Sequence, residues 1–197
     1  MKRIGVFGGT FNPIHMAHLI TAEEVCSQMS LDKVLFIPTA NHPLKDSKDI
    51  IDFDLRLEMV NLAIKGNEKF ESSGIEKEIS NQDRSYTINT LIHLREQYKS
   101  ENVKFYLVIG MDNLIDLHKW KDPGKLFMLS EVIVFNKPNY FIQDVKNDYG
   151  SIVTYVPVKN IDITATDIRF RIKEDKPIKY LVPPDVEKFI LENKIYK

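Results

Sequence analysis

The sequence has one cysteine, Cys26, among its 197 residues. An internal disulfide and a cysteine-based zinc cage are both excluded, and a reducing cytoplasmic setting is expected. Long apolar runs are missing too. The stretch Phe105-Tyr106-Leu107-Val108-Ile109 is among the longest, far short of the roughly 18 residues that span a bilayer. The opening Met1 to Phe7 breaks at Gly8-Gly9 before a secretory apolar region could develop. Neither sign of charge dominates: 27 Lys and Arg stand against 28 Asp and Glu, a net −1. A basic grip on long nucleic acid and a polybasic membrane patch are therefore both disfavoured. There is no internal repeat, low-complexity tract or Pro/Ser linker. There is also no G-x-G-x-x-G, and the one Gly-Lys pair, Gly124-Lys125, is followed by Leu126, so neither the dinucleotide fingerprint nor the Walker A loop is present. What is present is an ordinary globular balance, 43% hydrophobic and 28% charged, on a chain long enough to bury a core without staples.

Short β-rich runs alternate with amphipathic ones. Ile4–Phe7, Val34–Ile37, Lys104–Ile109, Val132–Phe135 and Ile152–Val156 read as strands. They are continuously apolar, as strands covered on both faces should be. A weaker strand is expected within Phe70 to Glu78. Helical spacing runs through Ala17–Met29, Phe53–Ile64 and Tyr86–Tyr98, with shorter helices at Asp112–Leu117, Pro123–Leu129, Ala165–Lys173 and Pro184–Glu192. This alternation predicts an α/β fold with a doubly wound, mainly parallel sheet. The expected organisation is a single domain, 1–197, whose C-terminal part from about 163 is helical. Asn41–Ile51 and Lys137–Gly150 read as polar loops inside it, where function often resides.

The strongest local signal is Gly8-Gly9-Thr10-Phe11-Asn12-Pro13-Ile14-His15-Met16-Ala17-His18-Leu19. It leaves the first strand and enters the first helix, where parallel sheets bind ligands. The glycines allow close backbone approach, and a helix start offers free N–H groups to a phosphate. His15 and His18, three apart, share a helix face and can donate to phosphate oxygens. A plain turn with surface histidines, or a metal pair lacking an obvious third ligand, would also fit. A second signal is Ile163-Thr164-Ala165-Thr166-Asp167-Ile168-Arg169. Thr164 or Thr166 can cap a helix there and Arg169 can reach an anion at its start, although a well-capped helix alone explains the pattern.

The first stretch resembles the G-G-T-F-D-P-x-H-x-G-H signature of the nucleotidyltransferase superfamily, with Asn12 for Asp and Ala17 for Gly. The second resembles that superfamily's I-S-[ST]-T-x-I-R element. Three further stretches are similar to bacterial nicotinate-nucleotide adenylyltransferases. Arg84-Ser85-Tyr86-Thr87-Ile88-Asn89-Thr90-Leu91 matches S-Y-T-x-D-T-L, with Asn89 departing; a helix capped by Ser85 is its structural alternative. Gly110-Met111-Asp112-Asn113-Leu114 through Trp120 matches G-x-D-n-L…W. Asn41-His42-Pro43-Leu44-Lys45 matches a P-P-H-K loop in altered order. Arg56 matches a common Arg, for which a structural ion pair is expected, and Tyr180 to Tyr196 resembles the family's structural C-terminal helix. The resemblance covers essentially the whole chain and implies a Rossmann-like nucleotidyltransferase fold.

It also implies a reaction: adenylyl transfer from ATP to nicotinate mononucleotide, giving deamido-NAD and pyrophosphate in NAD biosynthesis. The implied ATP contacts are Gly8, Gly9, Thr10, Phe11, His15, His18, Ile163, Thr164, Thr166 and Arg169. The implied acceptor contacts are Thr10, Lys45, Tyr86, Thr87, Gly110, Asp112 and Trp120, the last stacking on the pyridine ring. His15, His18, Lys45 and Arg169 would act on the phosphates, with Mg²⁺ carried by ATP and no dedicated protein metal site. The expected partners are these two small molecules, with no nucleic acid or membrane, and a homodimer is a reasonable assembly. Another nucleotidyltransferase of the superfamily, or a nucleotide-binding sensor without catalysis, are the alternative readings.

Overall fold

A computed structural model describes residues 1–41, 50–80 and 84–197. Six strands, β1 (Lys2–Gly9), β2 (Lys33–Pro38), β3 (Phe70–Ser72), β4 (Val103–Gly110), β5 (Glu131–Phe135) and β6 (Thr154–Val156), form one sheet in the order β3-β2-β1-β4-β5-β6. Every pairing is parallel. The chain builds outward from β1 through β2 to β3, then returns to the other side of β1 to lay down β4, β5 and β6. The reversal lies between β1 and β4, whose carboxyl ends, Gly9 and Gly110, form the crevice where such sheets bind ligands.

Alternate side chains along each strand serve opposite faces. Phe7, Val34, Phe36, Tyr106, Val108 and Ile133 join one buried cluster; Val6, Leu35, Ile37, Leu107, Ile109, Val132 and Val134 join the other. Helices lie over both faces, so the middles of the central strands are covered on both sides and read as unbroken apolar runs, while exposed positions such as Gly8, Glu71, Glu131 and Thr154 fall at strand ends or on the edge strands. The first face is covered by α1 (Met16–Gln28), α2 (Phe53–Ile64), α7 (Ala165–Lys173) and α8 (Pro184–Glu192), the second by α3 (Ile75–Ser80), α4 (Thr87–Gln97), α5 (Met111–Ile115) and α6 (Pro123–Leu129). Residues of α7 and α8, including Ile168, Ile172, Val186 and Ile190, are part of the first cluster with Phe7 and Ile14. Cys26 is buried on the inner side of α1. Among the described residues no helix is long and apolar enough to cross a membrane.

The weak strand within 70–78 is shorter than expected. It ends at Ser72, and Ile75 starts a helix, with the Ser73 hydroxyl accepting the Ile75 N–H at 3.3 Å. β6 begins at Thr154, because Ile152 closes a tight turn onto Tyr149. The helix expected over 112–117 is divided: α5 stops at Ile115 and a 3₁₀ turn follows over Leu117–Lys119.

Candidate active site

The loop after β1 is shaped by one aromatic ring. Phe11, at φ 46° and buried, folds back so that a Cβ on Gly9 would meet its ring at 3.0 Å. A side chain at position 9 would press on that ring, while Gly8 is exposed and a Cβ there would meet nothing within 4 Å. Asn12 anchors the next step. Its side-chain oxygen accepts from the Tyr196 hydroxyl at 2.8 Å and the Ile51 N–H at 3.4 Å. These contacts require an oxygen, which Asn and Asp share, so the departure at this position keeps the anchor. Burial pushes the Tyr196 phenol well above its ordinary value, leaving it a neutral donor. Arg56, buried in α2, donates to the carbonyls of Ile51, Thr10 and Thr39 at 2.8–3.0 Å. This corrects the expected ion pair: among the described residues its hydrogen-bond partners are main-chain carbonyls, and it fixes the back of the loop.

His15 and His18 are not surface histidines. His15 is the N-cap of α1, only 5% exposed, and its N–H donates to His18 Nδ1 at 3.2 Å. The two rings stack with centroids 3.6 Å apart, while Phe7 and Phe11 set their rings edge-on to His18. Burial, and secondarily the positive charge of Lys137, lower the His15 pKa from 6.5 to about 3. At neutral pH His15 is thus an uncharged imidazole whose buried Nδ1 has no partner among the described residues. It can serve phosphate as a hydrogen-bonding group but not as a cation. No cluster of three or more His, Cys, Asp or Glu that could hold a metal occurs among the described residues.

From the far end of the chain, α7 presents Arg169 to this same loop. Thr164 is the helix cap, its hydroxyl accepting the Asp167 N–H at 3.1 Å. Thr166 instead accepts from Arg169 Nη2 at 3.4 Å, and Arg169 Nη1 donates to the carbonyl of Asn12 at 2.9 Å. Ile163 packs against the first core cluster. Arg169 is thereby brought beside Gly8–His18 across 157 positions of sequence; spacing alone could not place it there.

The second half of the crevice is built from several segments. A Cβ on Gly110 would lie 2.5 Å from Asp112 Oδ1 and 3.3 Å from the Phe135 ring, so glycine there leaves room for the Asp112 carboxylate to fold back over the end of β4. That Oδ1 is buried without a partner among the described residues, while Oδ2 is ion-paired with Lys137. Tyr86 is the N-cap of α4 and Thr87 its first residue. Ser85 does not cap the helix: its hydroxyl accepts the Asn41 N–H at 3.0 Å and so ties the end of β2 to the start of α4. Trp120 and Tyr86 are both partly buried against the second core cluster, and Lys121 lies over the Tyr86 ring at 4.6 Å. Trp120 is therefore neither core nor free, with part of its ring open. Lys45 and His42 lie outside the described residues.

Sequence reasoning missed two charged residues. Lys137 follows the carboxyl end of β5, beside both Asp112 and His15; its place just past a strand end was the available signal. Glu76, on the short helix α3, is 6% exposed, and nothing in its charged sequence neighbourhood distinguishes it.

Residues 6–171 match the cytidylyltransferase-like family model. A Clostridium perfringens protein named a probable nicotinate-nucleotide adenylyltransferase is 37% identical over 204 aligned positions, covering 100% of this chain and 99% of its own. One so named from Clostridium acetobutylicum is 38% identical, with complete coverage of both chains. Among solved structures, the Plasmodium falciparum nicotinic acid mononucleotide adenylyltransferase complexed with NaAD superposes with a TM-score of 0.78 at 20% identity, covering 100% of this chain and 98% of that one.

Proposed function

Since the chain belongs to the cytidylyltransferase-like family and, along its whole length, to the nicotinate-nucleotide adenylyltransferases within it, we propose that it transfers the adenylyl group of ATP to nicotinate mononucleotide, forming deamido-NAD and pyrophosphate in NAD biosynthesis. The observation that carries the reading is the convergence of Arg169 and the stacked His15–His18 pair on one glycine-bearing loop at the sheet's reversal point. That arrangement suits a polyphosphate: loop and helix N–H groups, imidazoles and one guanidinium, with no nucleophile among them.

In the proposed reaction, a phosphate oxygen of the mononucleotide attacks the α-phosphorus of ATP. A new P–O bond forms opposite the breaking bond to the β-phosphate oxygen, and that electron pair leaves with pyrophosphate. No covalent enzyme intermediate is required, in keeping with a cysteine that is buried and bonded to the Leu31 carbonyl. The protein's contribution is positioning and charge stabilisation. His18 and neutral His15 hold phosphate oxygens, and Arg169 supplies fixed positive charge where negative charge accumulates. Lys137 adds a second cation beside His15, and Lys45 completes the set by resemblance. Gly8, Gly9, Thr10 and Phe11 line the nucleotide's path. Tyr86, Thr87, Gly110, Asp112 and Trp120 receive the acceptor, its ring carboxylate at the start of α4 and its pyridine against Trp120.

Mg²⁺ enters this reading with ATP. The donors at the crevice are two stacked imidazoles and a carboxylate paired with Lys137, which do not make a dedicated Mg²⁺ cage. They fit an ion held chiefly by substrate phosphates, where it would shield their charge. The reading also takes the cytoplasm as the setting and a homodimer as the assembly.

A coupled pyrophosphate assay tests the proposal: purified protein with ATP and Mg²⁺, offered nicotinate mononucleotide, nicotinamide mononucleotide or other phosphate acceptors, and with CTP in place of ATP. Turnover with ATP and nicotinate mononucleotide is expected. Turnover confined to CTP, or to an acceptor without a pyridine ring, would overturn it.

A further inference from the structure

Glu76 is the second residue of α3 and is buried on the side facing the end of β2. One carboxylate oxygen accepts the Ala40 N–H at 3.1 Å; the other accepts the Thr90 hydroxyl at 2.9 Å. The Ser85 hydroxyl donates to it as well. Burying a carboxylate is costly unless its oxygens are satisfied, and burial does push the Glu76 carboxyl up, opposed by these bonds and by Arg56. An apolar residue of similar size would avoid that cost but could not hold three donors from three places in the chain.

The donors it gathers are not scattered. Ala40 continues the strand end that Arg56 holds from the other side through the Thr39 carbonyl, and Arg56 holds the Thr10 carbonyl too, each at 2.8 Å. The Thr39 N–H also donates to the Gly9 carbonyl at 2.9 Å. Ser85 exchanges two hydrogen bonds with Asn41, its N–H donating to the Asn41 carbonyl at 2.8 Å and its hydroxyl accepting the Asn41 N–H. Thr90 lies one turn into α4. A continuous set of bonds therefore runs from the phosphate loop at Gly9 and Thr10, through Thr39 and Ala40, to Glu76, and on to Ser85 and Thr90, which flank Tyr86 and Thr87.

We propose that Glu76 is a positioning residue for the acceptor site, one that sets the start of α4 at a fixed distance from the phosphate loop so that the mononucleotide's ring end and its phosphate are held in register with ATP. This rests on the activity proposed above and adds to it the element that couples the two half-sites. Glu76 touches neither substrate; it acts through Ser85, Thr90 and Ala40. The phosphate loop has its own anchors in Arg56, Asn12 and Tyr196, so losing Glu76 should loosen the acceptor half selectively.

The test is steady-state kinetics on the full chain, varying each substrate with the other saturating, for wild type, Glu76→Ala and Glu76→Gln. Glu76→Ala should raise KM for nicotinate mononucleotide about tenfold, with KM for ATP within about twofold, the pattern of lost acceptor binding. Glu76→Gln keeps an oxygen for Ala40 and an amide for one hydroxyl, and should recover most of that loss, to within about threefold of wild type. An unchanged acceptor KM in folded Glu76→Ala, or equal rises in both KM values, would overturn the role. Should Glu76→Ala fail to give a cooperative melt, Ser85→Ala, which removes the hydroxyl's bonds to Glu76 and to the Asn41 N–H, must show the same acceptor-selective rise; without it the role is overturned. If wild type itself does not use nicotinate mononucleotide, the activity is wrong and this role falls with it; if wild type is active and only these variants disagree, the activity stands and the role alone is lost.

Discussion

The two halves of the crevice are constructed differently. The phosphate half is one continuous motif, Gly8–His18, and its anchors approach it from α2, α7 and the C-terminus: Arg56, Arg169 and Tyr196. The acceptor half has no single continuous motif; its family-like stretches, Arg84–Leu91 and Gly110–Trp120, lie apart in the chain. It is assembled from the ends of β2, β4 and β5 and the start of α4, joined by single side chains such as Glu76, Ser85 and Lys137. On the proposed reading, one half offers its main chain and the stacked His15–His18 imidazoles as the binding surface; the other uses side chains to hold separate segments in register. Damage to the first should therefore appear in the chemical step, and damage to the second in acceptor binding, as the Glu76 variants are designed to reveal.

The largest break in that contrast should come from the phosphate half. Arg169→Ala or His18→Ala is expected to lower kcat by roughly 10²–10³, the scale for removing one donor to developing charge. KM for the acceptor should move far less, and single-turnover measurement of pyrophosphate release would separate the two effects. Near-normal turnover of both variants would remove these residues from the chemistry.

Acidification should act on the same half through His15. Its imidazole is lowered from 6.5 to about 3 in the folded protein, so between those values the unfolded chain binds the extra proton. Stability contributed by keeping His15 neutral is complete above pH 6.5 and is lost as pH falls toward about 3, at up to about 1.4 kcal/mol per pH unit. Urea melts of wild type and His15→Asn across this range check the sign: the variant should show a shallower acid slope. Parallel slopes would place the acid sensitivity elsewhere.

The smallest effect should come from outside both halves. Cys26→Ala removes a buried thiol and its 3.5 Å bond to the Leu31 carbonyl. It should cost about 1 kcal/mol of stability while leaving turnover within about twofold, as expected of a reaction with no enzyme nucleophile. Loss of turnover in a well-folded variant would reopen the mechanism.

Several elements were readable from local patterns because their determinants are local. α6 and α8 begin at Pro123 and Pro184, as a residue that fixes φ and lacks an N–H at a helix start should specify. The central strands were readable because burial on both faces leaves only apolar side chains. β3 was overextended: it is three residues at the sheet edge, and the charged residues after it carry helix rather than strand character. Capping by Ser85 is an alternative that its position before a helix leaves open; only the neighbouring Asn41 main chain, 44 positions away, shows where its hydroxyl goes.

From the sequence alone came the parallel α/β class and the family, the latter through the Gly8–His18 stretch and the shorter stretches Arg84–Leu91 and Gly110–Trp120, since each depends on periodicity or on residues adjacent in the chain. Tertiary structure decided which charges matter and in what state. His15 is neutral because the fold buries it beside Lys137, Arg56 binds carbonyls rather than a carboxylate, and Glu76 gathers donors from the end of β2 and the start of α4. A residue's protonation and its partners are set by dielectric and distance in space, and the chain order encodes neither directly.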